Sequence, residues 1–186
     1  MNRDKIRAIK TARAWLRKRP MYLDTETTGL SADDHVIDLA LIDHNGTVLI
    51  DTLIRPIPQV KISQIASEIH GITNEDIVDA PTFPDVLINL TRLTKGRLVL
   101  IYNATFDLRL MQQSISDWKV DDLPYINAAC VMQLYAEFHG QKQKLGQAAF
   151  NFGVVGCDLH RASVDAQLCR QIVEAMAATL LPGEEG

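Results

Sequence analysis

The chain is poor in cysteine. Cys130, Cys157 and Cys169 are odd in number and show no C-x-x-C spacing. That argues against a disulfide framework or a cysteine-based zinc site and favours a reducing compartment such as the cytosol. Each thiol is expected to be a small buried apolar group. No apolar run approaches the roughly 20 residues of a membrane span, and the basic N-terminus lacks the apolar stretch of a signal peptide. Aromatic residues are few, with five Phe, four Tyr and two Trp, so a broad base-stacking platform is not evident. No internal repeat, low-complexity tract or long linker divides the 186 residues. What remains is an ordinary globular composition, 47% hydrophobic and 23% charged, enough for one domain with a full core.

The net charge of −4 conceals an asymmetry. Residues 1–20 carry eight basic groups and one acid, Asp4, so the remainder holds 11 basic and 22 acidic residues, a net of −11. A nucleic-acid binder normally shows a basic footprint. Here it must be local, or cations must offset the acids. The basic segment itself reads either as a solvated helix or as a face for phosphates behind a bound strand.

Residues 4–18 suggest a helix without a clean apolar stripe, ended by Pro20. Strands are expected at about 20–25, at 35–44 and at 47–54, with Asn45-Gly46 as the hairpin turn between the last two. Ile62, Ile65, Ala66 and Ile69 mark a helix from Ser63 to His70, and Gly71 stops it. A helix runs from Pro84 to about Lys95. The continuous apolar run Leu98-Val99-Leu100-Ile101-Tyr102 predicts a buried, parallel central strand. Helices at 106–116, 128–138, 144–151 and 161–179 follow, with a short strand near 124–127. A hairpin sheet followed by αβ units predicts one mixed α/β domain.

The informative residues are acids placed where a leucine belongs. Asp24 and Glu26 are two apart on a strand, so both carboxylates leave one face. Asp107 shares a helix face with Leu110, Met111 and Ser114, and Asp165 with Leu168, Ile172 and Met176. Proximity to a helix N-terminus offers each only about 0.3–1 kcal/mol, too little to offset burying an unpaired charge. Strand ends and helix starts in an α/β sheet meet at one edge. Four carboxylates there call for cations, and two Mg²⁺ or Mn²⁺ ions would balance them. His160, five residues before Asp165, suits a general base near neutral pH. His35, His44, His70 and His139 read as structural.

These residues resemble a known family. Asp24-Thr25-Glu26-Thr27-Thr28-Gly29-Leu30, Asn103-Ala104-Thr105-Phe106-Asp107 and His160-Arg161-Ala162-Ser163-Val164-Asp165 look like the three motifs of the DEDDh 3′–5′ exonucleases, the DnaQ-like group of proofreading subunits and ribonuclease T. His70-Gly71-Ile72-Thr73 matches a loop of that family, and Tyr102 stands where the second motif is often preceded by His. The resemblance implies an RNase H-like five-stranded mixed sheet, its first three strands antiparallel, with helices on both faces. It implies that Asp24, Glu26, Asp107 and Asp165 hold two divalent ions and that His160 deprotonates the attacking water. It further implies that Thr27, Thr28, Leu30, Asn103 and Phe106 contact the terminal nucleotide. The expected organisation is a basic helical arm at 1–18, an exonuclease domain at 19–180 and a frayed tail at 181–186. The expected activity releases nucleoside 5′-monophosphates from single-stranded or frayed 3′ ends, DNA ahead of RNA, in the cytoplasm. A proofreading subunit held by a DNA polymerase, an exoribonuclease and a non-catalytic adaptor are the alternatives, and a homodimer is open.

Overall fold

Strands β1 (Met21–Thr27), β2 (Val36–Ile42) and β3 (Val48–Leu53) form the expected antiparallel meander in this computed structural model. The structure describes residues 1–120, 124–154 and 160–184, so Cys157 and the last two residues of the tail lie outside the described residues. β4 (Val99–Ile101) adds parallel to β1, and β5 (Ala128–Cys130) adds parallel to β4. The sheet order is β3-β2-β1-β4-β5.

The expected strand at 124–127 is displaced. Residues 124–127 carry no ladder, and pairing begins at Ala128, opposite Val99. Pro124 offers no N–H to a ladder. The true strand, Ala-Ala-Cys, has none of the β-branched residues that mark strands in a sequence.

Helices cover both faces. They are α1 (Arg3–Arg17), α2 (Gln64–His70), α3 (Phe83–Thr94), α4 (Ala104–Asp117), α5 (Val131–His139), α6 (Leu145–Asn151) and α7 (Ala162–Ala178). Alternation along β1 divides the core in two. Tyr22, with Leu100 of β4, packs among residues of α1, α5, α6 and α7. Met21 and Leu23, with Val99 and Ile101, pack among residues of α3 and α4. Local sequence fixes the helix starts. Asn2 accepts from Lys5 N at 2.8 Å, Ser63 caps α2 through Ala66 N, and Thr82 with Asp85 closes a capping box on α3.

The first helix differs from a free arm. Ala8, Ile9 and Ala12 are fully buried, and Ala8 and Ala12 belong to the same cluster as Tyr135, Cys169 and Ile172. Alanine lets helices approach closely, so the contact is made without the large apolar stripe that the sequence lacks. Arg13 ties the helix to the end of α7, donating to Ala177 O at 2.9 Å and Thr179 O at 3.1 Å. Among the described residues, no helix is long and apolar enough to cross a membrane.

Candidate active site

β1 and β4 run parallel, so their C-terminal ends share one sheet edge. Asp24 and Glu26 sit at that end of β1. α4 leaves the end of β4 after two residues, which brings Asp107 of its first turn to the same edge. Thr25 donates its hydroxyl to Asp107 Oδ1 at 2.9 Å, joining strand to helix. The stripes expected below Asp107 and Asp165 are both buried: Leu110, Met111 and Ser114 on α4, and Leu168, Ile172 and Met176 on α7.

α7 brings Asp165 in its first turn, and the residue two before the helix is His160. Ligand atoms of Glu26, His160 and Asp165 all lie within 4.8 Å of one another. His160 takes a left-handed backbone, φ 76°, unusual for a residue with a Cβ.

A fifth carboxylate joins the four expected ones. Asp38 of β2 lies opposite Glu26 in the antiparallel ladder, so the two side chains share a face. Asp38 is fully buried. Its Oδ2 accepts from Arg161 Nε at 3.0 Å and from Ala162 N at 3.3 Å. Sequence reasoning missed it, although a signal was present: Asp38 interrupts an otherwise apolar strand, Val36-Ile37-Asp38-Leu39-Ala40-Leu41-Ile42.

The electrostatics follow from burial and crowding. Burial, then the neighbouring Asp165, Asp38 and Asp107, pushes Glu26 up to about 8. Burial lifts Asp107 to about 7 despite the Thr25 hydrogen bond. Asp24 is held well above the usual carboxylate range by burial and by Asp107, Asp165, Glu26 and Asp38. Asp165 is raised by burial, with His160 acting in the opposite direction. Among the described residues, Asp165 Oδ1 and Asp38 Oδ1 are buried with no hydrogen-bond partner. Crowded carboxylate oxygens, one of them an unpartnered ligand atom, and an imidazole are the donor set that hard divalent cations take.

Beside this cluster opens a cleft of about 280 Å³, walled by Leu30, Ile65, Ile69, His70 and Phe106 and floored by Glu26 and Thr27. Leu30, Ile65 and Ile69 are 76%, 73% and 53% exposed. Apolar periodicity in α2 therefore marks a cleft wall as well as a core contact. His70 is buried, its Nε2 3.2 Å from Thr27 O and its Nδ1 accepting from Ile72 N at 3.0 Å. The loop bearing Leu30 is closed from inside by Asp34, which accepts from Thr28 Oγ1 at 2.7 Å and Ser31 N at 2.6 Å. A Cβ on Gly29 would stand 2.6 Å from Asp34 Oδ2, so the close approach requires glycine. From outside, Arg109 reaches Ser31 O at 3.3 Å and lies over the Phe106 ring, 5.4 Å from its centroid.

Two of the expected residues lie apart from the lining of this cleft. Thr28 is fully buried, its N–H given to His35 O and its hydroxyl to Asp34. Asn103 does not share the cleft with Phe106. It lines a neighbouring cavity at the end of β4. Thr27, Leu30 and Phe106 do line the cleft.

An exonuclease family model matches residues 21–173. A protein of Escherichia phage 186 named uncharacterized exonuclease CP81 is 34% identical over 180 residues, covering 89% of this chain and 92% of that protein. The DNA polymerase III epsilon subunit of Treponema pallidum is 30% identical over 162 residues, covering 83% of this chain and 74% of that protein. Among solved structures, a 3′-exonuclease recognising a histone mRNA stem-loop superposes with a TM-score of 0.74 at 16% identity, which shows the shared RNase H-like fold. The superposition covers 86% of this chain, and the chain spans 64% of that protein's length. The chain belongs to this exonuclease family and is a DEDDh-type 3′–5′ exonuclease.

Proposed function

We propose that this exonuclease removes nucleoside 5′-monophosphates from single-stranded or frayed 3′ ends of DNA, with Asp24, Glu26, Asp107 and Asp165 holding two divalent ions, Mg²⁺ or Mn²⁺. The observation that carries this reading is the convergence of Glu26, His160 and Asp165 within 4.8 Å, with the unpartnered Oδ1 of Asp165 buried there. When bound, the ions neutralise the carboxylates, ease loss of a proton from water and stabilise the leaving 3′ oxygen. The chain's own residues do the rest. The apolar walls Leu30, Ile65, Ile69 and Phe106 take the terminal nucleoside out of water, and Glu26 and Thr27 meet its sugar. His160, exposed at the mouth, receives the proton of the attacking water at an imidazole nitrogen. Asp165, whose carboxylate takes a hydrogen bond from the His160 backbone, holds that residue in place.

The polymer is read as DNA because the epsilon relative is a DNA polymerase subunit by name. The same likeness supports a polymerase as a partner, which co-purification would test. The proposed exonuclease unit spans 19–180, with α1 packed upon it, and the cytosol is its proposed place.

The test is digestion of 5′-labelled single-stranded DNA, duplex DNA and RNA of matched sequence. A one-nucleotide ladder shortening from the 3′ end is expected with Mg²⁺ or Mn²⁺ and no cleavage with EDTA. Asp24→Ala, Asp107→Ala and His160→Ala should each lose most activity while still folding. Full activity in His160→Ala rejects the base, and binding without turnover in every metal favours an adaptor.

A further inference from the structure

The acidic edge has a difficulty that the terminal cleft does not resolve. A strand entering it is a polyanion, and while bound ions would balance the carboxylates at the scissile phosphate, the phosphates behind it have no such partner. Some fixed positive charge must hold that part of the strand.

A second cavity of about 420 Å³ lies at the same sheet edge, where β4 ends. Tyr102, Asn103 and Met132 form one side, and Lys142, Gln143 and Lys144 the other. Asn103 caps α4, four residues before Asp107. Both lysines are exposed. Among the described residues, neither has an ion-pair partner.

The loop carrying them is built. Gln143 between them turns inward. Its carbonyl accepts from Tyr102 Oη at 2.8 Å, and its Oε1 accepts from Tyr135 Oη at 2.8 Å and from Asn151 Nδ2 at 2.6 Å. Its Nε2 stands 3.4 Å from His139 Nε2. With Gln143 fastened on this many sides, the lysines before and after it are held out together, roughly 7 Å apart at Cα. The residue tying this loop to the catalytic edge is Tyr102, the one that departs from the usual histidine before the second motif.

We propose that Lys142 and Lys144 bind the backbone phosphates of the strand immediately behind the 3′-terminal nucleotide, in the cavity beside Asn103. An ammonium acts on phosphate as a point charge and reads no base, so the contact is independent of sequence. Tyr102 and Gln143 are its positioning residues. The site rests on the 3′-exonuclease reading above and extends it from the terminal nucleotide to the strand that follows.

The test compares wild type with Lys142→Ala/Lys144→Ala on two Mg²⁺-dependent substrates. One is a single-stranded DNA 12-mer, the other the p-nitrophenyl ester of thymidine 5′-monophosphate, which has no strand behind the reacting phosphate. The expected result is a KM for the 12-mer raised about tenfold with kcat within about twofold, and ester hydrolysis as in wild type. Binding of the 12-mer in EDTA, followed against salt, should lose about 1.4 from its log–log slope, two phosphates at about 0.7 each. An unchanged KM for the 12-mer overturns the proposal, as does a parallel fall in ester hydrolysis. So does a KM that rises only in Arg3→Ala/Lys10→Ala, which would send the strand over α1. A wild-type protein inactive on both substrates defeats the exonuclease reading itself, an outcome separate from any effect of the lysines.

Discussion

Asp38 of β2 and Arg161 at the cap of α7 form an ion pair of 3.0 Å across 123 residues of chain, with the carboxylate fully buried. The pair fixes the turn that presents His160 on one side and Asp165 on the other. His160 stands there at φ 76°, a conformation that other contacts must hold in place. Asp38→Asn keeps the shape and removes the charge. It is expected to lower kcat by about 10²-fold, the effect of misplacing a reacting group by about an ångström. KM for the oligonucleotide should stay within about twofold, as steady-state kinetics would show.

The crowded carboxylates set a pH dependence of stability. Glu26 at about 8 and Asp107 at about 7 both lie above their unfolded values, so the metal-free fold holds protons that the unfolded chain releases. Their stabilising contribution is complete below about pH 4 and is lost as pH rises through 7 and 8. Between pH 6.5 and 8.5 the melting temperature of the EDTA-treated protein should therefore fall. His70, lowered chiefly by burial, acts in the opposite direction, and only below its usual titration range. Added Mn²⁺ should raise the melting temperature, and more at pH 8.5 than at pH 6.5. A metal effect equal at both values would contradict the carboxylate site.

Gly29 and Asp34 make the loop that carries Leu30. With a Cβ 2.6 Å from Asp34 Oδ2, Gly29→Ala must displace the carboxylate that holds Thr28 and Ser31. Overpacking of this kind costs about 1–3 kcal/mol, measurable by urea unfolding. Because Leu30 moves with the loop, KM should rise as well. Asp34→Ala in the same chain removes the clash and should recover stability without restoring KM.

The alanines of α1 predict intolerance to size. Ala12→Leu inserts three heavy atoms where the residue is fully buried against α5 and α7 and should destabilise by about 1–3 kcal/mol. Removing residues 1–18 should lose the cooperative thermal transition, where a free arm would change only binding and its salt slope.

The acids proposed as metal ligands were legible because each breaks a period: Asp107 and Asp165 stand in apolar helix stripes, and Asp24 and Glu26 share one strand face. Asp38 broke a period too, but its strand carries no second acid to give it meaning. Its partner Arg161 is distant along the chain, and only the β1–β2 register brings it beside Glu26. The sheet was legible where β-branched runs mark it and illegible at Ala128-Ala129-Cys130. The packing of α1 was hidden because its contact is alanine. Ile65 and Ile69 show a different limit. Helical spacing identifies an apolar face and does not say whether protein or ligand will cover it.

Arg13 joins α1 to Ala177 and Thr179, contacts that span 164 and 166 residues of chain, so α1 is synthesised long before the helix it closes against. Through synthesis of the whole sheet, Ala8, Ile9 and Ala12 have no finished surface to meet. The nascent chain thus carries a strongly basic helix whose packing stays incomplete until α7 emerges.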